Sequence, residues 1–170
     1  NMESVYLNEN NLRMTTNFRI NFARLAEELL REGKKDSAVA VLDKCLEVMP
    51  DKTVPYNYFM TKIAEIYYRA GSDFNQQDTL TFSDREKSNN KELIAKANAI
   101  SERIADIYHD NLNYYVSLKG TKYFKYVEQD MSQALYILQA MSNTLKQTRQ
   151  KELADKIEKQ FMDMAQKSGI

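Results

Sequence analysis

A run of apolar residues at helical spacing, cut once by a glycine and closed by a proline, sets the fold of this chain. It reads Phe22, Leu25, Ala26 and Leu29, then Gly33, then Ala38 and Leu42, then Pro50. The first four fall on one face of a helix. Gly33 can take a positive φ and end that helix. Ala38 is small where a second helix must approach the first closely. Pro50 stops the second helix or opens the next unit. A helix–turn–helix unit follows from this pattern.

The spacing is that of a tetratricopeptide repeat, a unit of about 34 residues. Phenylalanine replaces the usual tryptophan, alanine the glycine, and leucine the tyrosine and phenylalanine. A second unit repeats the first with Met60, Ile63, Ala64, Tyr67 and Gly71. Gly33 and Gly71 are 38 positions apart, about four more than the repeat length. The second unit's small residue is Ala97, so a polar insertion over 72–91 is expected between its helices. A solvated loop is the reading for that insertion. Asp73, Asp78, Asp84 and Glu86 lack the alternating ligands and central glycine of an EF-hand loop.

Residues 1–8 form an N-terminal arm, and Asn8 is a candidate N-cap. His109 stands where Pro50 stood in the first unit, and Asp110 can cap the helix after it. Gly120 can break or kink that helix. A last amphipathic helix over 149–167, with Leu153, Ile157, Phe161 and Met164 inward, would close the array. The expected fold class is all-α: a right-handed α-solenoid of tetratricopeptide-type pairs, about seven helices, filling residues 9–170. The helices are expected near 9–32, 35–49, 56–70, 92–108, 110–127, 129–147 and 149–167. Leu25, Leu42, Ile63 and Ile104 are expected to be buried.

Composition narrows the function. With 170 residues the chain can bury a real core. Its formal net charge is zero, which argues against nucleic acid and against a polybasic membrane-surface module. No run of apolar residues is long enough to span a bilayer, and no signal peptide is expected in this stretch. One histidine and one cysteine cannot build an ordinary zinc site. Cys45 reads as a core residue and His109 as a turn residue. Glycine-rich phosphate loops are absent. Glu27 and Glu65 recur at equivalent places; they read as surface glutamates in preference to an acid–base pair. No catalytic residue, metal or cofactor is expected.

First helices of such repeats line a concave surface. The groove is expected to present Arg19, Ala23 and Glu27 from the first unit. Tyr58, Thr61, Glu65 and Tyr68 would come from the second. Tyrosines there could anchor a peptide or stack on a sugar. The groove lacks a repeated Lys/Asn pattern, so a neutral polypeptide or a glycan suits it better than a C-terminal carboxylate.

Three stretches carry a further resemblance: the run beginning VYLNENNLRMTTNF and ending LDKCLEVMPD, then VPYNYFMTKIAEIYYRAG, then ANAISERIADIYHDNLNYYVSL. Together they resemble the C-terminal region of a family of large multi-spanning bacterial membrane proteins of unknown function. The N-terminal part of that family resembles glycosyltransferases that use lipid-linked sugars. It is related to a eukaryotic protein O-mannosyltransferase with C-terminal tetratricopeptide repeats. The resemblance covers most of residues 5–118. It implies a parent membrane domain as partner and catalytic residues outside this chain; the extracytoplasmic (periplasmic) side is expected in preference to the cytoplasmic one, which stays open. The expected role is a non-catalytic module that binds a protein, peptide or glycan. The alternative is a packing or dimerisation domain for the parent protein.

Overall fold

A computed structural model describes residues 7–72 and 84–169, with side chains in the second stretch described from residue 89. Six helices and no strand occur among the described residues: α1 (Glu9–Arg31), α2 (Lys35–Val48), α3 (Met60–Gly71), α4 (Asp84–Ser117), α5 (Phe124–Gln147) and α6 (Lys151–Ser168). The all-helical class stands. Most of the N-terminal arm, residues 1–6, lies outside the described residues, as does 73–83 of the insertion.

Two compact units divide the chain, Asn1–Ile100 and Ser101–Ile170, and α4 contributes to both. In the first, α1 packs on α2 and α3, and α2 packs on α3. Asn8 caps α1 by accepting from the Asn11 N–H at 2.9 Å, so one orphan donor of the first turn is satisfied. Gly33 has φ +76°, and the Lys34 N–H turns back to the Leu29 carbonyl at 2.8 Å. That bond closes α1 and launches α2 two residues later. Ala26 and Ala38 are fully buried, which is why both positions must be small. Leu42, Cys45, Met60, Ile63, Ile66 and Tyr67 complete this core. Each large aliphatic side chain there contributes about 1.5–3 kcal/mol by leaving water.

The second unit is built on the α5–α6 hairpin and the end of α4. Its core is Ile104, Leu112, Leu138, Leu145, Ala154, Ile157 and Met164. Lys119, in the α4–α5 turn, donates to the Ser168 carbonyl at 2.8 Å and satisfies an orphan acceptor at the end of α6.

Four expectations need correction. Two helices were expected over 92–127, with a break at His109; instead α4 runs unbroken from Asp84 through His109 to Ser117. This stretch has no glycine or proline. His109 supplies the backbone N–H that a proline would lack, so nothing interrupts the helical ladder. The break falls at Gly120, φ +79°, where no Cβ penalty opposes the left-handed turn. This merges two expected helices, and six stand among the described residues where about seven were expected.

Second, residues 84–91 of the expected polar loop are the opening turns of α4. Third, the helix expected near 56–70 begins only at Met60 and ends on Gly71, which does not make the left-handed turn that Gly33 makes. A Cβ on Gly71 would meet the Asn90 carbonyl oxygen at 3.0 Å and Ile94 at 3.1 Å. Its role is close approach of α4. Finally, Leu25 is 51% exposed, while Leu42, Ile63 and Ile104 are buried as expected. α2 and α3 share one side of α1, the side carrying Arg19, Ala23 and Ala26, and Leu25 points away from it.

Candidate binding surface on the third helix

The seven residues expected to line a groove separate into an interior set and a surface set. Arg19, Ala23 and Tyr68 are buried, with Arg19 and Tyr68 only 1% exposed. They cannot meet a ligand, and their placement there is corrected. Glu27, Thr61 and Glu65 are half-buried and Tyr58 is exposed.

Arg19 is inside because the chain between α2 and α3 brings it bare carbonyls. Its guanidinium donates to Met49 O at 2.6 Å, to Pro55 O at 3.0 Å and to Val54 O. The Tyr56 ring lies against its other side, 5.0 Å from the guanidinium carbon to the ring centroid. A planar fork of donors suits three carbonyls from one turn better than a lysine would. Burial lowers the Arg19 pKa, with Tyr56, Cys45 and Asp51 opposing. Met49 is the C-cap of α2, so Arg19 satisfies a helix-end acceptor from the neighbouring helix.

Tyr68 points into the unit because α4 lies on that side of α3. Its hydroxyl is 2.8 Å from Asn98 Oδ1. Tyr67 donates to Asp43 Oδ1 at 2.6 Å, and Lys96 reaches the same carboxylate at 3.0 Å. Burial, then the Asp43 hydrogen bond, pushes the Tyr67 phenol far above its ordinary pKa. Adjacent tyrosines thus tie α3 to α2 and α4. Replacing Tyr68 would disturb folding before it touched any ligand.

On the surface, Glu27 and Glu65 are bound into a ladder of alternating charge. Lys62 is 2.7 Å from Glu27 and 3.3 Å from Glu65, and Arg69 is 3.3 Å from Glu27 and 3.9 Å from Glu65. The Lys62 hydrogen bond holds the Glu27 carboxyl below its ordinary pKa, against an opposing effect of burial. Burial pulls Lys62 down, but Glu27 and Glu65 outweigh it and the net shift is upward. A general acid needs a carboxyl held protonated near neutral pH; this ladder works the other way. Lys62, Glu65 and Arg69 stand at i, i+3 and i+7, a spacing that marks the ladder in the sequence.

Thr61 donates its hydroxyl to the Tyr58 carbonyl at 2.6 Å, so its polar atom is turned back onto its own chain. The Tyr58 ring, 40% exposed, lies 3.9 Å from the Phe59 ring, centroid to centroid. Tyr58 is the residue of the seven whose side chain is most available to another molecule. Cys45 is fully buried, and burial pushes its thiol up to about 11, with Arg19 partly opposing. A thiol so protonated is inert. His109 sits within α4 with Nδ1 3.3 Å from Asn113 Nδ2. Among the described residues, no three His, Cys, Asp or Glu side chains come together as a metal site. Nor is any helix there long and apolar enough to cross a membrane.

No family model, no curated protein and no solved structure matches this chain.

Proposed function

We propose that this chain is a non-catalytic helical-repeat module of tetratricopeptide type that holds a polypeptide or glycan. On this reading it serves, on the extracytoplasmic side, a membrane-bound protein resembling lipid-linked-sugar glycosyltransferases, whose membrane domain is a neighbour. The supporting observation is that one turn occurs twice. The α1–α2 and α5–α6 hairpins close with the same pattern of backbone bonds. Each has small residues seven before and five after its left-handed residue: Ala26 and Ala38 about Gly33, Ser142 and Ala154 about Arg149. Repeat units that stack along a line present continuous surfaces suited to other chains. Stacking of this kind as a right-handed solenoid is part of the proposal.

The test is a photo-crosslinking residue in place of Tyr58 in the full-length protein, followed by capture from its native membrane. A discrete adduct with a second molecule is expected. Crosslinks confined to the parent's own membrane domain would overturn the ligand-holding role.

A second reading, packing or dimerisation, is favoured by one observation. Met14, Phe18 and Leu25 are all more than half exposed on α1, and at about 100° per residue they lie within about 40° of each other. Met14→Ser with Phe18→Ser and Leu25→Ser would detach the module from its parent or break a dimer under this reading. It would leave both unchanged if the stripe packs on nothing.

A further inference from the structure

The second unit carries an open cleft that the role proposed for Tyr58 does not use. It lies at the turn between α4 and α5, has a volume of about 460 Å³, and is lined by Tyr114, Leu118, Tyr123, Tyr126 and Val127. The backbone around it is well held. Thr121 N–H bonds to Leu118 O at 3.0 Å, its hydroxyl bonds to the same carbonyl at 2.7 Å, and Tyr123 N–H bonds to Thr121 Oγ1 at 3.2 Å. Lys119 anchors the turn to the end of α6. Three tyrosines nevertheless stay more than half exposed, Tyr126 most of all at 70%. Stiff aromatic surface on a fixed turn is preorganised for contact.

Charge and shape select among ligands. Lys122 Nζ lies 5.2 Å from the Tyr123 ring centroid, and Lys125 Nζ lies 4.8 Å from that of Tyr126. No acidic residue occurs between Asp110 and Glu128. Aromatic rings attract cations, but these two already carry their own, so a cationic ligand is disfavoured and an anionic one drawn in. The phenols are the only polar side chains of the lining. A sugar would find ring faces without the amide or carboxylate partners its hydroxyls need. A small apolar ligand would need to bury most of its surface, and this cleft is open. A bilayer would need the rings on a protruding tip, whereas here they line a concavity. A nucleic-acid strand would need a longer basic track than two lysines in a chain of zero net charge.

A polyproline II segment meets the same features favourably. Its rings pack flat against tyrosine, and its conformation is preformed, so binding orders little. Acidic residues between the prolines would reach Lys122 and Lys125. We propose that the Tyr114–Tyr123–Tyr126 cleft binds an extended, proline-containing acidic segment of another polypeptide, with the tyrosines stacking on proline rings and the two lysines pairing with its carboxylates.

The test uses the whole chain and labelled peptides of alternating proline and glutamate, proline and lysine, or glycine and glutamate. Saturable binding of the proline–glutamate peptide is expected, weakening as salt is raised. The other two peptides should bind at least about tenfold less tightly, a difference near 1.4 kcal/mol. Tyr123→Ala with Tyr126→Ala should abolish binding while the helical circular dichroism and melting temperature stay as they were, because both side chains are exposed. Lys122→Glu with Lys125→Glu should turn the preference toward the proline–lysine peptide. A Tyr58→Ala chain should bind as the parent does, which separates this cleft from the surface on α3. Equal binding of the three peptides would overturn the proposal, as would binding that survives the tyrosine change. So would failure of the proline–glutamate peptide to bind, whether or not phosphatidylserine vesicles or an oligothymidylate capture the chain instead.

Discussion

The α1–α2 and α5–α6 hairpins make one turn from different residues. In the first, Glu32 N–H bonds to Glu28 O, Lys34 N–H to Leu29 O and Ala38 N–H to Lys34 O. In the second, Thr148 N–H bonds to Thr144 O, Gln150 N–H to Leu145 O and Ala154 N–H to Gln150 O. The offsets are identical. Yet the left-handed residue is Gly33 in one and Arg149, φ +63°, in the other. Fourteen positions before each stands a buried residue, Arg19 in the first and Leu135 in the second. Packing, not the turn residue, therefore holds the second hairpin. Ser142 donates to the Ala154 carbonyl at 3.3 Å across the closest approach, and Lys146 pairs with Glu158 at 2.6 Å. Those contacts hold the two helices together while Arg149 takes a left-handed conformation that costs a non-glycine residue energy.

Arg19 carries the largest expected effect. Arg19→Leu would make the first hairpin resemble the second at that position, but would leave the Met49, Val54 and Pro55 carbonyls bare. A loss of about 3 kcal/mol or more in chemical denaturation is expected, since each buried acceptor left unmade costs about 1–3 kcal/mol. A neutral result would mean that water reaches those carbonyls. Leu42→Ala comes next, at about 2–5 kcal/mol for a leucine whose cavity collapses only in part. A shift below about 0.5 kcal/mol is the size of an ordinary surface change, and would place Leu42 outside the core.

The turn residues give a smaller, signed pair. Gly33→Ala should destabilise by about 1–2 kcal/mol, the cost of a Cβ in the left-handed region, although nothing crowds the position. Arg149→Gly should relieve that strain, with a gain trimmed to about 1 kcal/mol or less by the added freedom of the unfolded chain. Thermal melts of the two variants should therefore move in opposite directions. Movement in the same direction would show that the two turns are not equivalent.

The smallest effect is the pH dependence of the charge ladder in the first unit. Glu27 titrates below its ordinary value when folded, so its contribution is fully present above the carboxylate range. It is lost as pH falls through the depressed value. Partly exposed pairs of this kind contribute about 0.2–1 kcal/mol. Glu27→Gln should flatten the acid limb of the stability–pH curve by that amount, and high salt should do the same to the parent. An unchanged acid limb would remove Glu27 from the ladder.

Much of the fold was legible because local chemistry decides it. Asn8 before a periodic run, Gly33 after one, and Ala38 at a close approach are constraints that act within a turn or two. Their outcomes follow from backbone sterics and hydrogen-bond accounting. Apolar periodicity placed Leu42, Ile63 and Ile104 inside by the same logic. Arg149 was not legible, since no arginine announces a left-handed turn. The long α4 was missed because His109 and Asp110 suit a turn or a helix equally.

The candidate surface was less legible than the fold. A helical period says which residues share a face, but not which of two faces meets a neighbour. Leu25 and Arg19 exchanged places on that account: an aliphatic side chain faces water while a guanidinium is buried. The Arg19 interior exists only because the α2–α3 connection folds back and offers three carbonyls at once, residues 30 to 36 positions away in sequence. Tyr68 likewise left the surface when α4 brought Asn98 to it. Sequence alone was enough for the all-helical class, for the starts of α1 and α2 and for the turn at Gly33, because those depend on short-range sterics. Which face of α1 is dry, what Arg19 binds and which tyrosines remain for another molecule were decided by tertiary structure. Burial is a property of what arrives from elsewhere in the chain.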